Sequence, residues 1–432
     1  MSNLASTYLK QGRWNEAEQL QVQVTNIMKK LLGEEHPHTF SSMGNLAETY
    51  RNQGKWNEAE RLQTQVVDMR KKLFGEEHPH TLLSMGNLAI TYLNQRRWNK
   101  AEQLQVKVMD MTKELLGEEH PDTLLSMGNL AEIYRSQGRL NEAEKLEVPV
   151  MNMKKKLFGE EHTDTLLSMG NLAETYRSQR RWNKAEQLQI QVINIRKKVL
   201  GGEHPHTLSS MGNLAETYRN QGRWGKAEQL QVQVMDIRKE LFGEEDPHTL
   251  LSMGNLAGTY LNQGRWNEAE QLQVQVIDMM KKLLGEEHPD TLLSMGNLAA
   301  TYLNQGRWNE AEQLQVQVMD MTKELLGEEH PNTLLSMGNL AVTYSNQGKW
   351  NEAEQLEVQV IDIRKKWLGE EHPHTLLGIQ NLAETYKHQR RWNEAKQLEV
   401  QVMNIKKKLL GEKHPDTLLN KVYIACTYRN QM

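Results

Sequence analysis

The residues of this 432-residue chain that could do chemistry fall into three groups. The first is histidine. His-Pro-His pairs stand between acidic residues at His36/His38, His78/His80, His204/His206 and His372/His374, a grouping that invites a metal-ion reading. A metal site would need further convergent ligands, such as a His-Glu-x-x-His helix face or paired cysteines. The chain has no such motif and a single cysteine, Cys426. In other copies of the same phrase the second histidine becomes Asp122, Asp290 or Asn332, which favours solvent-facing turns. No metal and no other cofactor is therefore expected. Catalysis finds no foothold either, because nucleophile elbow, phosphate loop and a unique carboxylate pair are all missing from the sequence. Nearly every polar residue recurs along the chain, whereas an active site is a singular constellation. The chain reads as a non-enzyme.

The second group is an asparagine row: Asn45, Asn87, Asn129, Asn171, Asn213, Asn255, Asn297, Asn339 and Asn381, spaced by 42 residues. Primary amides offer both donors and an acceptor, so a row of them suits an extended peptide backbone. The competing reading is a ladder bonded to itself and to neighbouring helices. The third group is a pair of positions, three residues apart, that vary together. Glu48 stands with Arg51, Glu132 with Arg135, Glu174 with Arg177, Glu216 with Arg219 and Glu384 with Lys387. Elsewhere Ile90 stands with Leu93, Gly258 with Leu261, Ala300 with Leu303 and Val342 with Ser345. Three-residue spacing places each pair on one helix face, where an ion pair contributes about 0.2–0.5 kcal/mol. The pattern predicts a charged sector over 132–219 and an apolar sector over 258–345, the latter carried by Leu261, Leu303 and Val342. Block duplication of one repeat variant is the competing explanation.

What positions these groups is a repeat. Tryptophan recurs at Trp14, Trp56, Trp98, Trp182, Trp224, Trp266, Trp308, Trp350 and Trp392, with Leu140 filling the one gap. Nine full 42-residue copies occupy 39–416, with a truncated copy at 1–38 and a terminal helix at 417–432. Within 81–122, Leu82, Met85, Leu88, Ala89 and Tyr92 trace one helical stripe, helix A, with Pro79 in its first turn. Trp98, Ala101, Leu104, Val108, Met111 and Leu115 trace another, helix B, which also carries a partial stripe through Val106, Met109 and Leu116. Gly117 follows as a C-terminal cap. Two apolar faces on helix B require a neighbour on each side, so the units must stack. The expected fold is all-α: a right-handed α-solenoid of helix-turn-helix repeats forming one domain over 1–432.

Two features strain this pattern. Glycine in mid-helix A, from Gly44 and Gly86 to Gly338, costs roughly 1 kcal/mol per copy against alanine. Close packing of adjacent A helices is one expected compensation, and room for a ligand backbone is the other. In copy 123–164, Leu140 replaces tryptophan, Thr163 replaces the loop proline, and Pro149 falls inside helix B. A kink and a weak point, acting as a hinge, are expected there.

Composition sets the remaining bounds. Only 38% of residues are hydrophobic, yet their fixed period argues against disorder. Lysine and arginine number 52 against 56 acidic residues, interspersed throughout, so there is no basic footprint for nucleic acid. No segment has the apolar length of a membrane helix or the layout of a signal peptide. One cysteine suits a reducing compartment, and the expected location is cytoplasmic.

Leu88, Ala89, Tyr92, the Gly/Arg break, Trp98 and Ala101 resemble the tetratricopeptide pattern. The added LLGEEHPDT segment is similar to the 42-residue variety of kinesin light chains, and the many near-identical copies resemble the repeat arrays of fungal NB-ARC (STAND, NLR-like) receptors. One departure is Gln105, where the family usually places a large aromatic. The resemblance implies that helix A lines a concave groove, with Leu83, Gly86, Asn87, Ile90, Leu93 and Asn94 pointing into it and the asparagine row contacting a protein or peptide ligand. It also implies a ligand-sensing or scaffolding role within a longer receptor. Met1 aligns with Met43, so the chain begins inside helix A, as if cut from a longer protein. Lys421 and Tyr423, replacing the core methionine and the ladder asparagine, give the last helix the look of a natural cap. Self-association through the solenoid ends, a kinesin-light-chain-like cargo adaptor and a regulatory domain for an attached enzyme remain alternatives.

Overall fold

Regular structure in this protein is helical throughout the described residues, which in the computed structural model are 1–10, 13–412 and 414–431. The chain divides into two compact units, Met1–Thr291 and Leu292–Met432. The first holds α1 (Ser2–Lys10), α2 (Trp14–Leu32), α3 (Pro37–Asn52), α4 (Trp56–Phe74), α5 (Pro79–Asn94), α6 (Trp98–Leu116), α7 (Pro121–Ser136), α8 (Leu140–Phe158), α9 (Thr163–Ser178), α10 (Trp182–Leu200), α11 (Pro205–Asn220), α12 (Trp224–Phe242), α13 (Pro247–Asn262) and α14 (Trp266–Leu284). The division falls within α15 (Pro289–Asn304). The second unit continues with α16 (Trp308–Leu326), α17 (Pro331–Asn346), α18 (Trp350–Leu368), α19 (Pro373–His388), α20 (Trp392–Leu410) and α21 (Pro415–Gln431). Odd-numbered helices are helix A of the repeat and even-numbered ones helix B. From α1 to α14 in the first unit and from α16 to α21 in the second, each helix packs on the next, the all-α solenoid stacking that the period predicts.

Local chemistry sets the helix ends. Each helix B stops at a glycine with positive φ, such as Gly117 at 89°, whose N–H donates to Lys113 O. The carbonyl of that glycine is then free to accept from the next helix A: Thr123 Oγ1 donates to Gly117 O at 2.8 Å, and Thr81 Oγ1 to Gly75 O likewise. The A-to-B turn also needs a left-handed residue. Gly54 supplies it at φ 75°, but Arg96, Arg180 and Arg390 occupy the equivalent place at 57°, 58° and 63°.

The helix A stripe is buried as expected: Leu82, Met85, Leu88 and Ala89 are core, and Tyr92 lies half-buried against them. Leu115 departs from its expected place on the buried stripe of helix B, being 46% exposed, and Leu116 beside it is 36% exposed. The mid-helix glycines also depart from the packing explanation. A Cβ built on Gly44, Gly128, Gly170, Gly212 or Gly254 meets nothing within 4 Å, and one on Gly86 only Gln105 Oε1 at 3.8 Å. Pro149 sits inside α8, which still runs its full 19 residues, although Lys145 O loses its helical donor.

Polar side chains join neighbouring repeats. Mid-helix B glutamines, where an aromatic would be usual, are buried and accept from a threonine of the following helix A: Thr49 to Gln21 at 2.7 Å, Thr217 to Gln189 at 2.8 Å and Thr259 to Gln231 at 2.6 Å. Gln105 is the exception, because Ile133 replaces its threonine; its Oε1 is buried without a partner, while its Nε2 donates to Ser126 O at 3.0 Å. A second junction holds the turns. Gln95 Nε2 and Arg97 Nη1 both reach Glu60 of the preceding helix B, at 2.9 and 2.6 Å, and Gln389 and Arg391 grip Glu354 in the second unit at 2.9 and 2.7 Å.

Candidate functional site

Burying one stripe of helix A leaves its opposite face to solvent, which places the candidate residues. Leu83 is 51% exposed, and Leu125, Leu167 and Leu251 repeat it in the first unit, as Leu293, Leu335 and Leu377 do in the second. One turn further along lie the asparagines. Asn45, Asn87, Asn213, Asn255, Asn297 and Asn339 are exposed, and Asn129, Asn171 and Asn381 half-buried. Among the described residues none of these amide side chains has a hydrogen-bond partner, so the self-bonded ladder is not formed.

The covarying positions follow on the same face. Glu48 and Arg51 approach to 4.0 Å, Glu216 and Arg219 to 2.6 Å, and Glu384 and Lys387 to 2.7 Å, while Glu132 and Glu174 are ion-paired with Arg135 and Arg177. Over 132–219 the pairs also connect across repeats. Arg177 Nη1 lies 3.6 Å from Glu216, and Arg135 Nη1 donates to Asn171 O at 3.1 Å. Beyond the last glutamate, Arg219 leans over Gly258, where an added Cβ would lie 2.5 Å from its Nη1. Burial lowers the pKa of Arg135. For Arg177 burial works in the same sense, but the hydrogen bond and charge of Glu174 outweigh it, and the net shift is upward. Much of this sector is therefore neutralised within the protein. Of the apolar positions, Leu261 in the first unit and Leu303 in the second are half-buried, and Val342 is 41% exposed.

The histidines have a role that the sequence did not disclose. His78 Nδ1 accepts from His80 N–H at 3.2 Å, and His120 from Asp122 N–H at 3.2 Å, so the first histidine of each motif caps helix A. Asp246 stands in its place before α13 and accepts from two N–H groups, of His248 and Thr249. An imidazole with one nitrogen spent on a cap is a poor start for a metal site, and among the described residues no three His, Cys, Asp or Glu side chains converge on one. His288 differs from most of its counterparts: its ring meets Trp14 of α2 at 4.7 Å between centroids, and burial lowers its pKa. Among the described residues no helix is long and apolar enough to cross a membrane.

Stacked helix pairs, most of whose A helices carry an exposed leucine and asparagine on one face, define a helical-repeat scaffold. The chain belongs to the tetratricopeptide repeat family: its model matches residues 1–72, 44–114, 81–148, 164–240, 207–282, 246–324 and 292–366, and a second tetratricopeptide model matches 375–416. Among solved structures, a Podosopora anserina protein of nearly identical, kinesin-light-chain-type TPR-like repeats is 36% identical, with 48% of this chain and 98% of that one covered and a TM-score of 0.41. BtubC from P. vanneervenii is 18% identical, over 53% of this chain and 92% of that one, with a TM-score of 0.45. A Rap protein solved in complex with Competence and Sporulation Factor is 12% identical, covers 87% of this chain and 100% of its own, and has a TM-score of 0.54, a likeness of fold. No curated protein matches the chain.

Proposed function

We propose that this tetratricopeptide array is a non-catalytic scaffold that binds an extended protein or peptide segment along the exposed faces of its A helices. The observation that carries the reading is the asparagine row, exposed or half-exposed and free of side-chain hydrogen bonds, beside a row of exposed leucines on the same helices. Amides can take up a ligand backbone while apolar side chains bind its side chains, and the open space over the mid-helix glycines lets a backbone approach. Within this reading the charged positions Glu132, Arg135, Glu174, Arg177, Glu216 and Arg219 set selectivity in one sector, and Leu261, Leu303 and Val342 in another. The near-identical 42-residue copies fit the interaction region of a larger signalling receptor of the NB-ARC type, and a cargo adaptor would use the same face.

The test is a peptide-display selection on the purified chain, counter-screened against Leu261→Glu/Leu303→Glu and Asn213→Ala/Asn255→Ala variants matched by circular dichroism. Peptides that lose binding to either variant place the ligand on helix A. No enrichment, or enrichment indifferent to both, overturns the reading. Concentration-dependent growth in light scattering would then favour end-to-end assembly.

A further inference from the structure

The buried mid-helix B position is glutamine in most copies, but Glu147, Glu357 and Glu399 stand there in three. A carboxylate taken out of water needs a countercharge, and two of the three have one. Arg135 Nη1 lies 3.3 Å from Glu147 Oε1, and Lys387 Nζ lies 2.9 Å from Glu399 Oε1. Both cations come from the same place: the exposed-face position of helix A, twelve residues before the glutamate, reaching inward between successive A helices. Glu399 also accepts from Thr427 Oγ1 at 2.8 Å.

In the remaining copy the arrangement is complete except for the cation. Glu357 on α18 is 6% exposed, as deeply buried as Glu147 and Glu399. The residue twelve before it is Ser345 on α17, whose side chain is too short to reach and carries no charge. Glu357 Oε2 has no hydrogen-bond partner, which holds for Glu147 Oε2 too, but Glu147 has Arg135 at its other oxygen. Burial pushes the Glu357 carboxyl up to about 7, with the hydrogen bond of Thr385 opposing and the like charge of Glu354 adding; Glu147 is pushed up to about 7 as well, with Arg135 beside it, so the difference between the copies is the missing cation and not the direction of the shift. The two sister copies thus show where a cationic group fits against a carboxylate at this position.

We infer that Glu357 is a receptor for a cationic side chain, the ammonium or guanidinium of a lysine or arginine in the bound segment, which enters past Ser345 between α17 and α19 and takes the position held by Arg135 and Lys387 in the sister copies. This rests on the peptide-binding reading and sharpens it, since it fixes one ligand residue as basic and places it at the α17 face. Val342, one turn before Ser345 on the same face, supplies an apolar neighbour for the stem of such a side chain.

The test uses the full chain labelled with carboxyl-13C glutamate, with the Glu357 signal assigned by Glu357→Gln. Its pH titration is followed with n-butylammonium or ethylguanidinium as probe, against tetramethylammonium at matched ionic strength. An opposite charge seated against the carboxylate lowers its apparent pKa by about 1 unit or more, which corresponds to at least about tenfold preference of the probe for the ionised form. The signal of Glu147, already paired with Arg135, should not respond. Ser345→Arg, which places a cation at the register position Arg135 holds beside Glu147, should abolish the response to the probe. A wild-type Glu357 titration indifferent to both probes overturns the inference, whatever Ser345→Arg does. The two readings fail separately. A probe shift with no enriched peptide removes the peptide-binding face and leaves a cation site. Peptides whose binding is indifferent to Glu357→Gln, with no probe shift, leave the face and remove the cation site.

Discussion

Replacing Gly170, Gly212 and Gly254 by alanine together should stabilise the first unit. These residues lie in mid-helix in α9, α11 and α13, none has a positive φ, and a Cβ on each meets nothing within 4 Å. With no steric cost, what remains is the backbone entropy glycine loses in a helix, about 1 kcal/mol per site, and the sites lie in separate helices, so the sum is about 3 kcal/mol. A repeat array need not unfold in one step, so the effect is best read locally, by native-state hydrogen exchange of the amides in α9 to α13. A gain of about 3 kcal/mol slows exchange there roughly hundredfold, and amides in α3 should be unaffected. Unchanged or faster exchange would refute the argument, because it would mean that neighbouring helices pack where the structure has open space. The same variant separates the two explanations of the glycine row. If a ligand backbone passes over these positions, added methyl groups weaken peptide binding while they stabilise the fold; equal affinity would show that the space serves no ligand.

Three further outcomes follow from single positions. Arg96→Gly relieves a left-handed arginine in the A-to-B turn and should stabilise by about 1 kcal/mol, measured as a raised urea midpoint of the local transition; no change would show that the turn is unstrained. Pro149→Gln restores the donor to Lys145 O and should slow amide exchange in 123–164 toward that of neighbouring copies, by up to about 3 kcal/mol; exchange already equal in the wild type would show that copy is no weak point. The pH dependence has two opposed parts. Gln263 and Arg265 hold the Glu228 carboxylate below its ordinary value, so this junction stabilises above the unfolded glutamate pKa and is lost as pH falls through the folded one. Burial raises Glu357 to about 7, so its protonated form is favoured in the fold and stability declines as pH rises from the unfolded value through 7. Glu357→Gln should therefore be more stable than wild type at pH 8 and indistinguishable near pH 4, by thermal melting; equal melting at both would deny that the carboxyl is desolvated.

Much of this protein was determined by its sequence alone. The 42-residue period, the two helices per copy, the buried stripe through Leu82, Met85 and Leu88, the glycine stop at Gly117 and the ion pairs of the Glu/Arg positions all rest on contacts within one helix or one turn. Periodicity and cap chemistry report such contacts directly. Tertiary structure decided what depends on the neighbouring repeat. Leu115 lies on the apolar stripe of its helix, yet it is 46% exposed. The mid-helix glycines suggested tight packing, and the spacing between A helices instead leaves them open. Gln105, marked only as a departure from the family pattern, belongs to a buried row whose partner is a threonine on the following helix A, and it lacks that partner because Ile133 is there. The missing countercharge of Glu357 is visible only when three buried carboxylates are compared in space. Trp14 and His288 meet at 4.7 Å although more than 270 positions separate them in the chain, and no local signal in the sequence carries a contact of that range.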